Sequence, residues 1–405
     1  MLEDFFNSLL LLPSYWVVEQ IEHNSETDEV FIYVKFKVKE YKALQDKEFY
    51  GLHDYNSYRT WRHLDILQYK TYIKAKLPRI KDIEGNIKTI EPSWGNLLDR
   101  NTYLFEKRII ETLLATKNQT KTSELLRCSF NLANRIMHQS VERGLNRRDD
   151  DILYTHLSID EKSFRKGHNY ITVLSNPNTG NIIDVSDGRT KESCKLLIAN
   201  NIKEENKDKV EQVSIDMWEA FINSVKETLP KSKIIHDRFH LVQYLNKAVD
   251  LVRRREVKIH QELKNSRYAL LKNKFNLTMK QHFKFEEVLA LNTKVSLAWR
   301  LKECFKDLFN ASDYQNAHSR FIDWISFCNW EKIPEISKVA KMFTNHIVGV
   351  CNALSNKLSN AMAERLNGKI QEIKTIGRGY RTFKNFRSAI LFFNGGLNLY
   401  PQQTL

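Results

Sequence analysis

The feature that most constrains the fold is the order of strand and helix patterns between about residues 151 and 245. Three segments with strand periodicity come in succession, ILYTHLSID, YITVLSN and IIDVSDG; EKSFRKGHN indicates a turn after the first, and NPNTGN a hairpin turn after the second. The helical pattern TKESCKLLIANNI follows, then the strand QVSID, the helix WEAFINSVKETL and the strand KSKIIHD. This order predicts an α/β fold, a mixed sheet with helices packed on it.

Two of these strands nearly repeat each other and carry the same acid. HLSID contains Asp160 and QVSID contains Asp216. Because side chains alternate across a strand, Leu157 and Ile159 share one face and Asp160 lies on the other, and the second strand has the same parity. If the two strands are neighbours, their carboxylates project from one side of the sheet. Such carboxylates repel unless a cation lies between them, and they suit Mg²⁺. The alternative for Asp216 is a helix N-cap.

A third acid lies on a helical pattern, SNAMAERLNGKIQEIK, far along the chain. Its apolar stripe consists of Leu366, Ile370 and Ile373. Asn360, Glu364 and Asn367 form a separate polar face with the same spacing. A carboxylate between two amides on a helix with a buried face is typical of a site, although a single Glu on a helix is more often a surface residue.

The charge of the chain favours a polyanionic partner. The 405 residues include 63 Lys and Arg against 49 Asp and Glu, a net charge of +14. We find no signal peptide or membrane span, which leaves nucleic acid as the expected partner. The five cysteines are scattered, as expected for a reducing cytoplasm rather than a disulfide framework or a metal knuckle.

The regions on either side of the α/β pattern differ in character. Residues 1–100 contain strand patterns such as EVFIYVKF, and residues 101–150 contain three helical patterns with short connections. The three helices are typical of a helix-turn-helix unit, in which Arg135 and Arg143 would face a DNA groove. The alternative is an ordinary helical linker with solvated basic residues. Residues 246–355 are almost entirely helical in pattern.

The blocks IDEKSFRKGHNYITVL, IDMWEAF, IIHDRFHLVQYLNKAVDLVRR and SNAMAERLNGKIQEIKTIGRGYRTFKNFRSAILFF resemble, in the same order, the transposases of the ISL-three insertion-sequence family. The resemblance covers roughly residues 100–395. It implies a DDE transposase with a ribonuclease H-like core, in which Asp160, Asp216 and Glu364 are catalytic and bind two divalent ions, Mg²⁺ or Mn²⁺. It further implies double-stranded DNA as substrate, both terminal inverted repeats and target, and a homodimer or larger assembly on DNA in the cytoplasm, associated with the nucleoid. The corresponding domains are a strand-containing module at 1–100, a helix-turn-helix domain at 101–150, the core at 151–245 and 356–405, and an all-helical insertion at 246–355.

One departure from the family pattern concerns zinc. The family has a cysteine-based zinc module before the motif that is represented here by WRHLD, but the first cysteine of this chain is Cys128. Zinc binding by residues 1–100 is therefore not expected.

Further residues are candidates for supporting roles. Asp237 and His240 form a D-x-x-H arrangement, similar to one in several DDE transposase groups; the alternative is that His240 caps or packs against a helix. The expected DNA-phosphate contacts from the central and C-terminal regions are Lys166, His168, Arg189, Lys369, Lys374, Arg378, Arg381, Lys384 and Arg387.

Two other functions remain compatible with the sequence. One is a ribonuclease H-like nuclease without strand transfer, and the other is a catalytically silent, transposase-derived DNA-binding regulator.

Overall fold

The computed structural model describes residues 2–44, 51–81, 84–149, 152–165, 169–272, 274–356 and 361–401. The chain forms two compact units. We call Met1–Arg148 with Leu397–Leu405 the N-terminal unit, and Asp149–Gly396 the central unit. The described part of the chain is a mixture of helices and two sheets, which confirms the predicted α/β class.

The N-terminal unit begins with a five-stranded sheet. Its elements are α1 (Leu2–Leu9), β1 (Trp16–Asn24), β2 (Glu29–Phe36), α2 (Val38–Leu44), β3 (Gly51–Arg62), β4 (Lys70–Lys81) and β5 (Ile87–Thr89). The strand order is β1-β2-β4-β3, with β5 paired to β4. One face is apolar: Ile32, Ile73 and Trp61 are fully buried in a core that also contains Trp16 and Trp94. The sheet therefore has an apolar core of its own without the cysteines of the family pattern.

Three helices complete this unit, as predicted: α3 (Tyr103–Thr116), α4 (Gln119–Leu125) and α5 (Phe130–Asn146). Each helix is preceded by an N-cap residue whose side chain accepts a hydrogen bond from a backbone N–H group of the first turn. The N-cap residues are Thr102, Asn118 and Ser129. Side-chain contacts of the WRHLD motif, at the end of β3, join the sheet to these helices. The carboxylate of Asp65 accepts from Arg62 and from Arg127 in the α4–α5 turn.

The central unit contains the second sheet. Its first elements are β6 (His156–Arg165), β7 (Asn169–Asn176), β8 (Asn181–Asp187), α6 (Lys191–Asn201), α7 (Glu204–Lys207), β9 (Gln212–Ile215), α8 (Glu219–Thr228) and β10 (Lys233–His236). The strand order is β10-β9-β6-β7-β8. Strands β6, β7 and β8 are antiparallel, whereas β9 and β10 run parallel to β6. Leu157, Ile159, Val213 and Ile215 are buried against α6 and α8.

The predicted turn after HLSID is wrong in its extent. Strand β6 continues through Glu161 to Arg165 because these residues pair with β7 as an antiparallel hairpin, although β9 has already ended at Ile215. The polar composition of EKSFR favours a turn, but strand pairing depends on backbone hydrogen bonds, and β7 alone supplies the partner for these residues.

The rest of the central unit is helical. Its helices are α9 (Arg238–Glu256), α10 (Arg267–Leu271), α11 (Met279–Ala290), α12 (Lys294–Asp307), α13 (Tyr314–Glu331), α14 (Pro334–Asn345), α15 (Ile347–Ser355), α16 (Ala361–Ile376) and α17 (Phe383–Asn394). Short 3-10 turns lie at Gln261–Leu263, Lys274–Asn276 and Leu308–Asn310. Helices α9 to α15 surround a core rich in aromatic residues, including Phe305, Phe321, Trp324 and Phe343. Helix α9 spans residue 245, where the sequence suggested a domain boundary.

Candidate active site

The two echoed aspartates lie side by side because their strands are aligned residue for residue. Strands β6 and β9 are parallel neighbours, with Ile159 opposite Ile215. Asp160 and Asp216 each follow one of these isoleucines, so they occupy the same level of the sheet. Both side chains are mostly buried, 16% and 19% exposed. The near repeat of sequence thus corresponds to a repeat of position.

A third aspartate stands at the same level on the next strand. His236 of β10 pairs with Ile215, and Asp237 follows directly. The Oδ1 atom of Asp237 accepts a 2.7 Å hydrogen bond from the backbone N–H of Phe239, and Asp237 is the N-cap of α9. Asp237 therefore caps the helix that begins there.

The helix capped by Asp237 places His240 between the two echoed carboxylates. The Nδ1 atom of His240 is 3.5 Å from Oδ2 of Asp216, and its Nε2 atom is 3.8 Å from Oδ1 of Asp160. Burial lowers the pKa of His240, but its contact with the Asp160 carboxylate and the charges of both aspartates raise it, and the net pKa is above the ordinary value. The first turn of α9 thus directs a proton-binding ring into the carboxylate pair.

Asp160 is strongly held in its ionised form. Burial on its own raises the pKa of this carboxyl, but the nearby imidazole of His240, the charge of Lys162 and the hydrogen bond from Asn367 outweigh it and lower the pKa to about 2. The Nδ2 atom of Asn367 donates to Oδ2 of Asp160 at 2.9 Å, and Nζ of Lys162 is 3.1 Å from the same oxygen. The carboxylate therefore remains charged at neutral pH.

A tyrosine also contacts the carboxylate of Asp216. Tyr244 lies one helical turn after His240 on α9, and its hydroxyl donates to Oδ2 of Asp216 at 3.5 Å. Burial raises the pKa of Tyr244 to about 12, with a further contribution from the charge of Asp216. The phenol is therefore protonated, and it acts as a hydrogen-bond donor at this site.

Sequence reasoning missed Tyr244 and Lys162 as site residues, and it noted Asn367 only as a neighbour of Glu364. The usable signals were the spacing of four residues between His240 and Tyr244, and of two residues between Asp160 and Lys162.

The predicted glutamate lies on α16, whose backbone is described. The side chain of Glu364 is outside the described residues, and so are Lys166 and His168. Asn367 stands three residues after Glu364 on the same helix and reaches Asp160. Helix α16 therefore approaches the aspartate pair with the polar face that carries Asn367.

The donor set fits a hard divalent cation. Two adjacent carboxylates, mostly buried and with positive or hydrogen-bonding groups at their oxygens, match the oxygen ligands that Mg²⁺ prefers. Within the described residues, no group of three or more His, Cys, Asp or Glu side chains is arranged to hold a metal ion. Asp160 and Asp216 could hold one, and the side chain of Glu364 lies outside the described residues.

Several cations that were expected to contact DNA have partners inside the protein. The guanidinium of Arg387 forms a double hydrogen bond with Asp184, at 2.7 and 2.9 Å, and Lys374 donates to the carbonyl of Ser163 at 2.8 Å. Arg189 is 3.1 Å from Glu161 and lies over the rings of two aromatic residues. These contacts hold α16, α17 and the loop after β8 on the sheet.

The two arginines expected in the DNA groove also have partners. Arg135 of α5 is 2.6 Å from Asp99. Arg143 contacts the buried carboxylate of Glu106 and donates to the carbonyl of Leu399 at 2.7 Å. Among the remaining cations, Arg378, Arg381 and Lys384 are exposed, and Lys369 is half-buried.

Comparison with known proteins gives a consistent answer. The sequence model of a transposase family, the DDE type of the ISL-three group, matches residues 157–390. The chain is 25% identical to the transposase for insertion sequence element IS1557 of Mycobacterium tuberculosis, over 80% of this chain and 79% of the relative. It is also 25% identical to the transposase for insertion sequence element IS1001 of Bordetella parapertussis, over 57% of this chain and 59% of the relative.

Among the described helices, none has the length and apolar character needed to cross a bilayer. The family match covers more than half of the chain and includes the β6, β9 and α16 segments that meet at the aspartate pair. The chain belongs to the ISL-three family of DDE transposases.

Proposed function

We propose that this chain binds the terminal inverted repeats of its insertion sequence and catalyses metal-dependent DNA strand cleavage and strand transfer. The observation that carries the proposal is the register of β6 and β9, which sets Asp160 and Asp216 side by side at one level of the sheet. Family membership and the names of the relatives support the same reaction.

Glu364 is the third member of the proposed catalytic group. Residues three apart on a helix share a face, so the approach of Asn367 to Asp160 supports a position for Glu364 on the same side of α16. The resemblance of the SNAMAERLNGKIQEIK block to the family supports the glutamate at this position. We infer that Asp160, Asp216 and Glu364 together hold the divalent ions.

The proposed fold is a ribonuclease H-like core formed by residues 151–245 and 356–405, with the helices of 246–355 inserted before the glutamate helix. The strand order β10-β9-β6-β7-β8, with three antiparallel and two parallel strands, supports this assignment. In the N-terminal unit, residues 1–100 and the helix-turn-helix at 101–150 are the proposed DNA-binding modules.

In the proposed mechanism, the residues of the chain form a charged site whose two aspartates are mostly buried. Asp160 is ionised at neutral pH, and Asn367 fixes one of its oxygens. His240 and Tyr244 orient Asp216 from the first two turns of α9. Bound divalent ions would supply activation of the attacking water or 3′-hydroxyl and stabilisation of the leaving oxygen.

The DNA backbone is proposed to lie against the exposed cations after α16. Arg378, Arg381 and Lys384 have the exposure that phosphate contacts require, and Lys369 is a further candidate. Pairing of two transposon ends requires a homodimer or larger assembly on DNA, in the cytoplasm and at the nucleoid. Lys374, Arg387 and Arg189 contribute positive potential, although their nearest partners are internal.

The experiment is cleavage and joining of a labelled duplex that carries the end of the element encoding this chain. Asp160→Asn, Asp216→Asn and Glu364→Gln should each reduce Mg²⁺-dependent cleavage by at least about a thousandfold while they leave duplex binding intact. Asp208→Asn, a surface carboxylate paired with Lys231, is the matched control and should cleave normally.

Full cleavage by any one of the three variants would remove that residue from the site. Nicked product without joined product would indicate a nuclease without strand transfer. Binding without any metal-dependent cleavage by the wild-type chain would indicate a DNA-binding regulator.

A further inference from the structure

The sheet of the N-terminal unit has a second face with a composition unlike its apolar core. Alternation along β2 and β4 buries Ile32 and Ile73 on one side. The opposite side is formed by Phe31, Tyr33, Lys35, Tyr58, Tyr72, Lys74 and Lys76, and we call this set the aromatic–lysine face. Its rows are set by the strand register, which places Phe31 beside Tyr72, Tyr33 beside Lys74, and Tyr58 beside Lys76.

The aromatic rings of this face are stacked on one another and on lysines. Phe31 and Tyr72 are stacked with centroids 5.4 Å apart and planes at 20°. The ammonium of Lys74 lies 3.8 Å from the centroid of the Phe31 ring, and that of Lys76 lies 4.8 Å from the centroid of the Tyr58 ring. These contacts hold the two ammonium groups in fixed positions above the sheet, so that binding an anion requires little further ordering of the side chains.

The charge on this face is distributed unevenly. On the β1 side, Glu19 pairs with Lys35 at 2.8 Å, and Glu22 accepts from the hydroxyl of Tyr33 at 2.7 Å. On the β3–β4 side lie Lys74 and exposed Lys76, together with Tyr58, whose side chain is 51% exposed. The face is therefore acidic at its β1 edge and basic toward β3, which orients an approaching polyanion.

We propose that the aromatic–lysine face is a binding site for the phosphate backbone of duplex DNA, with Lys74 and Lys76 as its phosphate-binding residues and the Tyr58 hydroxyl beside them. This inference rests on the proposed transposase function and assigns a role to the module that lacks the cysteines of the family pattern.

The stacking indicates a duplex rather than a single strand. A splayed base needs an open ring face on which to stack. Phe31 is covered by Tyr72 and Lys74, and Tyr72 lies between Phe31 and the guanidinium of Arg62, 5.5 Å from its centroid. The face offers fixed cations and hydroxyl groups, which match backbone phosphates that are spaced along a paired helix.

The test uses the full chain in EDTA, which prevents cleavage, and a duplex that carries the end of its element. We expect Lys74→Ala/Lys76→Ala to raise the Kd at least about tenfold at 0.15 M salt. The slope of log Kd against log salt should become shallower by about 2, because each lost phosphate contact removes about 0.9. Lys74→Arg/Lys76→Arg should retain binding, since the charge is kept.

The matched control is Lys226→Ala/Lys233→Ala, which removes two exposed lysines at the opposite end of the central sheet from the aspartates. It should change neither the Kd nor the salt slope of duplex binding. Lys76, Lys226 and Lys233 are exposed and their removal should leave thermal melting unchanged, whereas Lys74 is half-buried against Phe31. Binding of every variant is therefore measured below its own melting transition.

Two results would overturn the inference alone. In the first, the wild-type chain cleaves its own ends, but the Lys74→Ala/Lys76→Ala variant has an unchanged Kd and salt slope for the duplex. In the second, the variant loses affinity only for a single-stranded oligonucleotide of the same sequence. A wild-type chain that neither binds nor cleaves those ends would overturn the proposed function as well.

Discussion

At the scale of single residues, the behaviour of the aspartate pair depends on the few positive groups near it. His240 lies within 4 Å of both carboxylates, whereas Lys162 reaches Asp160 only. Without a cation between them, two carboxylates at one level of a sheet repel each other. His240 therefore stabilises the metal-free protein.

Removal of that ring should make stability depend on magnesium. We expect His240→Ala to lower the free energy of unfolding of the metal-free central unit by about 1–2 kcal/mol, because Lys162 alone then offsets the Asp160–Asp216 repulsion, and only from the Asp160 side. Addition of Mg²⁺ should raise the melting temperature of this variant more than that of the wild type. Thermal melting with and without MgCl₂ checks this, with His282→Ala on exposed α11 as control. An equal magnesium shift in variant and wild type would contradict it.

A buried histidine in the other unit gives a prediction about acid. Burial, with a contribution from the charge of Arg62, lowers the pKa of His63 to about 4, and its Nδ1 is 2.9 Å from the Thr102 hydroxyl. Between about pH 6.5 and 4 the unfolded chain binds a proton at this ring that the folded chain does not. Stability conferred by the neutral ring is therefore complete above pH 6.5 and is lost as the pH falls to 4, by at most about 3 kcal/mol.

The measurement is denaturant unfolding of wild type and His63→Gln at several pH values from 7 to 4. The variant should lose less stability over this range than the wild type. Comparison of variant with wild type is needed because burial also lowers the pKa of His236 to about 4 in the central unit. Parallel pH profiles for the two proteins would show that His63 is not the titrating group.

The residue scale also shows what could be predicted from the sequence. Parity and the repeated SID predicted that Asp160 and Asp216 lie on one side of the sheet if their strands are neighbours, and the pairing of β6 with β9 shows that they are neighbours. The approach of His240, Tyr244 and Asn367 was not predictable in detail, because it depends on where α9 and α16 lie over the sheet. Local spacing gives the face of a helix but not the distance of that face from another element.

At the scale of elements, α15 is closely fixed to the edge of the central sheet. The Cα atom of Gly349 lies so close to β10 that an added Cβ would be 2.5 Å from Cδ2 of buried His236. Asn352 donates to the carbonyl of Ile234 at 2.8 Å, and Arg238 donates to the carbonyl of Ala353 at 2.9 Å. The helix that precedes α16 is thus positioned by a glycine and two hydrogen bonds.

We expect Gly349→Ala to destabilise the central unit by about 1–3 kcal/mol, because the buried imidazole of His236 must shift. The matched control is Gly368→Ala on α16, where an added Cβ meets nothing within 4 Å. The control should be neutral or stabilising by up to about 1 kcal/mol through helix propensity. Urea unfolding measures both, and equal stability of the two variants would show that α15 does not pack closely on His236.

Element boundaries were predicted less well than element types. The helices α3 to α5 and the succession of strands and helices along the first part of the central unit were confirmed. The end of β6 was wrong because the ladder with β7 continues through polar residues. The segregation of charge on the N-terminal sheet was not foreseen, because it arises from pairing between β2 and β4, which are not consecutive in the chain.

At the scale of the whole molecule, the N-terminal unit contains a segment from the far end of the sequence. An added Cβ on Gly144 would lie 2.7 Å from Cβ of Leu397, and Arg143 and Arg147 of the α5 region donate to the carbonyls of Leu399 and Tyr400. Leu399 is 4% exposed. Residues 397–401 therefore pack as part of that unit.

Deletion of residues 397–405 should destabilise the N-terminal unit by about 2–4 kcal/mol, since it exposes the surface under Leu399 and removes two carbonyl acceptors. The central unit should be unaffected. Hydrogen exchange of the α5 amides, compared with those of β6 and β7, distinguishes the two units. A truncation that removes only residues 402–405 is the control, and equal α5 protection in both truncations would contradict the prediction.

The packing of residues 397–401 in the N-terminal unit has a consequence for biosynthesis. Residues 149–396 must leave the ribosome before Leu397 does, so the proposed DNA-binding unit reaches its full set of contacts only after the catalytic segment has been translated. A polypeptide terminated prematurely would lack the contacts of residues 397–401 with α5. Under the proposed function, such a fragment would compete poorly for transposon ends, and the order of synthesis would favour occupancy of those ends by chains that also contain the proposed catalytic segment.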